Sequence, residues 1–162
     1  MRRRPKESRR KRKLLVDTNI LLLYIVGSLS LDRIARHKRT DTFTVEDYWL
    51  LEGLLRKFSG IVVTPNILTE VSNLLGYTDK KTRESLLILL GSLVRIFEEH
   101  YVRSMEAVEA AEFSRLGLAD SSILSCPTDL TVLTDDLHLY LALQRRGVDV
   151  INFNHLRDAA GG

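Results

Sequence analysis

One cysteine, Cys126, is all the thiol chemistry the chain carries. It cannot close an internal disulfide, so the fold has to stand on its own core, as a reducing compartment demands. Proline and glycine are scarce, at three and nine of 162 residues, which excludes collagen-like and low-complexity architectures. Long apolar runs are missing as well. Ile20 to Val26 and Leu86 to Leu90 fall far short of the roughly 20 residues that span a bilayer. No apolar segment of signal-peptide type follows the basic N-terminus, because Leu14 to Val16 is interrupted by Asp17. The expectation is a soluble cytoplasmic protein with no membrane association. Gly-rich nucleotide-binding motifs are absent, so a dinucleotide or P-loop site has no support.

What is present is an uneven distribution of charge. Residues 1–13, "MRRRPKESRRKRK", hold nine Lys or Arg against one Glu, a net +8. The rest of the chain holds 15 basic and 20 acidic side chains, a net −5. A basic arm therefore precedes an acidic body, the arm with almost nothing to bury. One reading makes Arg9, Arg10, Lys11, Arg12 and Lys13 contacts to a nucleic-acid backbone. The other makes the arm a solvated tail, a translation-start extension or a partner-binding peptide.

The body is long enough for one compact domain, residues 14–158, and 44% of the whole chain is hydrophobic. Short apolar runs alternate with helical patterns. Leu14 to Asp17, "IVVT" and "LTVLT" read as buried strands and "VDVINF" as a fourth. A helix capped by Thr18 or Asn19 and ended by Gly27 is expected after the first strand, then a short helix capped at Ser30. "TVEDYWLLEGLLRKF" starts on Thr44 with Asp47 three residues on, a near-miss of the capping box, and should run to Gly60. Pro65 opens a helix that stops at Gly76; a longer one follows in "DKKTRESLLILLGSLVRIFEE". "SMEAVEAAEFSRLG" closes at Gly117, "LADSSILSC" is helical again, and "DLHLYLALQRRG" is amphipathic. Strands separated by helices make parallel pairs, so the fold class is α/β: a parallel sheet of four to five strands covered by helices on both faces. Trp49, Tyr24 and Phe58, at helical spacing, read as core rather than as base-stacking platforms.

In such sheets ligands bind beyond the carboxyl ends of the strands. Asp17 ends the first strand, and Asp135 and Asp136 end the third. Glu70 lies about one turn into the helix after the second strand, and Asp120 sits at the head of a helix. Each acid has an ordinary reading too: Asp17 and Asp120 as helix caps, Glu70 as a solvated position, Asp135 and Asp136 as favourable charges at a helix N-terminus. Taken together at one sheet edge, they form a cluster that cannot stay fully ionised at neutral pH without a counter-charge. No His or Cys accompanies them at ligand spacing, which disfavours zinc, while all-oxygen ligation suits Mg²⁺ or Mn²⁺.

The stretches "LLVDTNILL", "TPNILTEVSNLL", "LGLADSSIL" and "VLTDDLHLYLAL" resemble, in this order, the PIN-domain family, which includes VapC-type toxins of toxin–antitoxin pairs. The match runs from Leu14 to about Phe153. The resemblance implies a three-layer α/β/α fold and a metal-dependent ribonuclease that hydrolyses RNA with metal-activated water. It places Asp17, Glu70, Asp120 and Asp136 as catalytic metal-binding acids, with Asp135 as neighbour or substitute for Asp136. Thr18, Asn19 and Thr134 would orient those ligands. Expected partners are RNA, an antitoxin or other protein, and a second copy of the chain. The alternative is a catalytically silent module that keeps the fold and binds RNA or protein. Extra sequence around Leu31 to Phe58 and the basic arm depart from a minimal toxin. A phosphatase nucleophile loop fits less well, since "DTN" lacks its second Asp. A receiver-type phosphoacceptor would need an acidic pair at the first strand.

Overall fold

The computed structural model describes residues 12–161. Five parallel strands form one sheet in the order β3-β2-β1-β4-β5: β1 Leu14–Val16, β2 Ile61–Val63, β3 Glu98–Glu99, β4 Thr131–Thr134 and β5 Asp149–Asn152. Eight α-helices flank it: α1 Thr18–Leu29, α2 Val45–Leu55, α3 Pro65–Leu74, α4 Lys80–Val94, α5 Ser104–Ala107, α6 Phe113–Leu124, α7 Leu137–Arg145 and α8 Phe153–Ala160. The chain winds outward from β1 through β2 to β3, then crosses back to β4 and β5. Right-handed crossovers therefore divide the helices between the two faces. α1 packs with α2, α3 and α4, while α6 packs with α5 and α7.

The centre of the sheet is also its most apolar part. β1 and β4 are buried along their whole length, whereas β3 is exposed and β5 only partly covered. α1 is buried nearly all round: Ile20, Leu21, Leu22, Leu23, Ile25 and Val26 are almost inaccessible. That is why its sequence shows no polar stripe. Each such side chain contributes on the order of 1.5–3 kcal/mol, so α1 anchors the core.

Several expectations from the sequence change in detail. Asp17, not Thr18 or Asn19, caps α1, because its carboxylate accepts the Ile20 N–H at 3.0 Å. The helix passes through Gly27 instead of ending there. A Cβ at Gly27 would stand 2.2 Å from Cδ2 of the Tyr48 ring, so this glycine is required for close packing of α2 on α1. After Ser30 only a 3₁₀ turn forms, Leu31–Arg33, and Ser30 makes no capping bond to it. Thr44 and Asp47 complete a reciprocal capping box, with Asp47 reaching the Thr44 N–H at 2.8 Å. α2 ends at Leu55, before Gly60. Gly117 interrupts α6 at φ 77°, the left-handed conformation that glycine tolerates, so the Asp120 turn starts afresh there. β3 was hidden in the tail of "RIFEE", and α8 follows the last strand. Trp49 is 55% exposed and is not core.

The additional segment between α1 and β2 is folded onto the body. Arg157 of α8 pairs with Asp47 at 2.9 Å, donates to the Thr42 carbonyl at 2.9 Å, and lies 5.0 Å over the Phe43 ring. Among the described residues no helix is long and apolar enough to cross a membrane.

Candidate active site

The winding reverses between β1 and β4, which makes their carboxyl ends the topological switch point where α/β sheets bind ligands. Val16 pairs with Leu133, so the residues that follow, Asp17 and Thr134–Asp135, are neighbours by register. Asp17 is only 3% exposed. One carboxylate oxygen caps α1; the other accepts the Thr134 hydroxyl and, at 3.2 Å, the Asp135 N–H. Thr134 is itself fully buried, and its Oγ1 accepts the Asp136 N–H at 3.0 Å. One threonine thus ties two acids, Asp17 and Asp136, to a single geometry.

Asp135 and Asp136 divide the work after β4. Asp135 accepts the Asn19 amide at 3.3 Å, and its carbonyl accepts Asn154 Nδ2 at 3.0 Å. Asp136 is the N-cap of α7, with its Oδ1 on the Leu139 N–H at 2.8 Å. Asp120 enters from α6, whose position is set at the end of β2: the Thr64 and Ser122 hydroxyls meet at 2.9 Å, and Ser122 donates to the Ala119 carbonyl at 2.6 Å. Thr64 also caps α3 through the Ile67 N–H. That helix carries Glu70, exposed at the mouth.

Electrostatically the acids act as one group. Burial raises the Asp17 carboxyl well above the ordinary range, the Asp135 charge raises it further, and the Thr134 hydroxyl opposes both. Asp135 is raised as well, by burial first and by Asp136 in addition, against the Asn19 amide. Asp120 is pushed up to about 7 by burial, then by Asp136, Glu70 and Asp135. None of the principal influences on these three is a basic side chain. Burial and like charge outweigh the hydrogen bonds from Thr134, Asn19 and the backbone, so Asp17, Asp120 and Asp135 bind protons more readily than free carboxylates.

All five acids expected from the sequence therefore converge on one edge. Of the three orienting groups, Thr134 bonds Asp17 and Asn19 bonds Asp135. Thr18 does neither: its hydroxyl is buried with no partner among the described residues, as is that of Ser121 beside Asp120. Sequence reading missed Thr64, Ser122 and Asn154. Thr64 was legible as a Thr-Pro helix start; the other two act through contacts that no local pattern announces.

No three carboxyl, imidazole or thiol groups among the described residues form a ready-made metal cage. The donor set is nonetheless all oxygen, and no basic side chain is among the principal influences on Asp17, Asp120 and Asp135, which fits a hard divalent cation that keeps several of its waters. Asp17, Asp120, Glu70 and the Asp135–Asp136 pair are the groups that could hold it.

The two described residues of the basic arm lie at the other end of the sheet. Arg12 pairs with Asp149 at 3.0 Å, and Lys13 pairs with Glu98. These acids begin β5 and β3, so Arg12 and Lys13 lie at the amino edge of the sheet, opposite the carboxylates. Arg9, Arg10 and Lys11 lie outside the described residues. No family model and no curated protein matches this chain.

Proposed function

We propose that this chain is a PIN-type endoribonuclease that uses Mg²⁺ or Mn²⁺ to hydrolyse RNA phosphodiesters. One observation carries the reading: Asp17, Asp120 and Asp135 meet at the switch point of a 3-2-1-4-5 parallel sheet with their carboxyls raised and no basic group among the principal influences on them. A bound divalent ion supplies Lewis acidity, activating water for in-line attack and compensating charge on the phosphate. The protein's part is placement. Thr134 and the Asp135 N–H hold Asp17 rigid, Asn19 aims Asp135, and the Thr64–Ser122 clamp sets Asp120. Glu70, on an exposed turn of α3, completes the set from the solvent side.

A second reading has an observation of its own. Both Asp17 oxygens already accept protein donors and no cage is preformed among the described residues, as a non-cleaving RNA- or protein-binding module would have it. Labelled RNA incubated with Mn²⁺, with an EDTA control and an Asp17→Asn control, separates the two. Metal-dependent cleavage lost in Asp17→Asn supports the nuclease. Mn²⁺-independent binding with no cleavage supports the module. A toxin role with an antitoxin partner is the narrower proposal, tested by co-purification with a small DNA-binding protein encoded beside it.

A further inference from the structure

Beside the acids, the carboxyl edge of the sheet continues into a cleft of about 360 Å³, within the size range of small-ligand sites. Glu70 and Ala119, the residue before Asp120, belong to its wall, so the cleft and the acidic cluster share a boundary. Tyr101, two residues after β3, also lines it. This tyrosine is 73% exposed, yet its backbone is held on both sides. The His100 N–H donates to the Val63 carbonyl at 2.8 Å, and Val102 is 3% exposed. A large aromatic side chain is thus presented to solvent on a fixed support, in a cleft that the partly exposed Leu118 also lines. Asn66 lines the same cleft and offers an amide with both donor and acceptor. No Lys or Arg lines the cleft and Glu70 stands at its rim, so it suits a flat, uncharged, hydrogen-bonding group and not a phosphate.

We infer that this cleft is the subsite for one unpaired RNA nucleoside, its base stacked on Tyr101 and facing the Asn66 amide. Stacking on an aromatic face with polar contacts to a splayed base edge is how single-stranded RNA is held, because only an unpaired base frees both its face and its pairing edge. The inference rests on the ribonuclease reading and names its substrate as single-stranded. A base seated here would bring its own phosphate to the shared wall, beside Glu70 and Asp120.

The test uses the full chain and a fluorescein-labelled oligouridylate, with binding followed by anisotropy in Ca²⁺ and cleavage followed in Mn²⁺. Tyr101→Ala should weaken binding roughly tenfold. It should raise KM for cleavage with little change in kcat, because stacking acts equally on ground and transition states. Tyr101→Phe should behave as wild type, and Asn66→Ala should alter the preference among oligouridylate, oligocytidylate and oligoadenylate. Tyr101 is exposed, so circular dichroism and melting should be unchanged in both tyrosine variants. If wild type cleaves in Mn²⁺ and Tyr101→Ala keeps the same KM and affinity, the subsite is overturned while the nuclease stands. If wild type binds with the Tyr101 dependence and cleaves nothing, the nuclease reading falls and the subsite stands. A duplex bound as tightly as the single strand, and weakened equally by Tyr101→Ala, overturns the assignment to an unpaired base.

Discussion

The Asp135 N–H donates to the Asp17 carboxylate at 3.2 Å, although 118 positions separate the two residues. The bond exists because β1 and β4 are adjacent and in register, and it makes the ends of two strands one unit. The bond also brings the Asp135 charge near enough to raise the Asp17 carboxyl, so a change at Asp135 is felt at Asp17.

Asp17→Asn should abolish Mn²⁺-dependent cleavage and leave the fold in place. The amide can still accept the Ile20 N–H, which preserves the cap of α1. Cleavage rate and far-UV circular dichroism on the same preparation check this. Activity within a few-fold of wild type in a folded Asp17→Asn protein removes Asp17 from the chemistry.

The metal-free protein should lose stability as pH rises. Asp120 titrates at about 7 in the folded state against roughly 4 when unfolded. Between these values the folded state binds more protons than the unfolded one, so stability falls with rising pH from about 4 through about 7. Asp17 and Asp135, also raised, act in the same direction. Asp120→Asn should therefore melt higher than wild type at pH 8 without metal and show no such advantage at pH 4. Thermal melts at both pH values read the difference, and a lower melting point at pH 8 makes Asp120 a structural residue.

Mn²⁺ should reverse that loss. An ion that binds only the folded site stabilises by about 2.7 kcal/mol at 100 times its Kd. Binding has to displace the protons the cluster holds, so affinity should rise with pH between 6 and 8 and protons should be released. Calorimetric titration in buffers of different ionisation enthalpy measures both. A pH-independent affinity with no proton release places the ion outside this cluster.

Thr134→Val keeps shape but deletes the hydroxyl that serves Asp17 and Asp136. It leaves the Asp136 N–H without its acceptor and should cost about 1–3 kcal/mol. It should also weaken Mn²⁺ binding, since Asp17 loses the donor that favours its ionised form. Thr134→Ser retains the hydroxyl and should track wild type in both melting temperature and Mn²⁺ affinity. Equal behaviour of the Val and Ser variants excludes an orienting role.

Deleting residues 1–11 should lower RNA affinity and flatten its salt dependence without affecting Mn²⁺ affinity. Each phosphate that the shortened protein no longer neutralises should reduce the log–log slope by roughly 0.7–0.9. Arg12 and Lys13 stay paired at the amino edge, so they keep the start of β1 in place. The comparison is a salt titration of both proteins, and an unchanged slope assigns the arm another role.

The α/β class, the strands β1, β2, β4 and β5 and the acids that follow strands, Asp17, Asp135 and Asp136, were legible in the sequence for one reason, whereas Glu70 and Asp120 lie on helices and lack that signal. Buried parallel strands must be continuously apolar, so a carboxylate at the end of such a run stands out against its surroundings, as Asp17 does after Leu14–Val16. β3 was not legible, because "EE" has no apolar pattern and becomes a strand only by pairing with Val62 and Val63. Gly27 looked like a helix stop, and only the Tyr48 ring lying against it shows that it is a packing position. The strand order, the Thr64–Ser122 clamp, the pairing of Arg12 and Lys13 with Asp149 and Glu98 and the cleft beside Tyr101 all depend on residues far apart in the chain. Local propensity carries no information about such partners. Residue chemistry and spacing along the chain determined which groups could act, and the sheet's winding decided which of them meet.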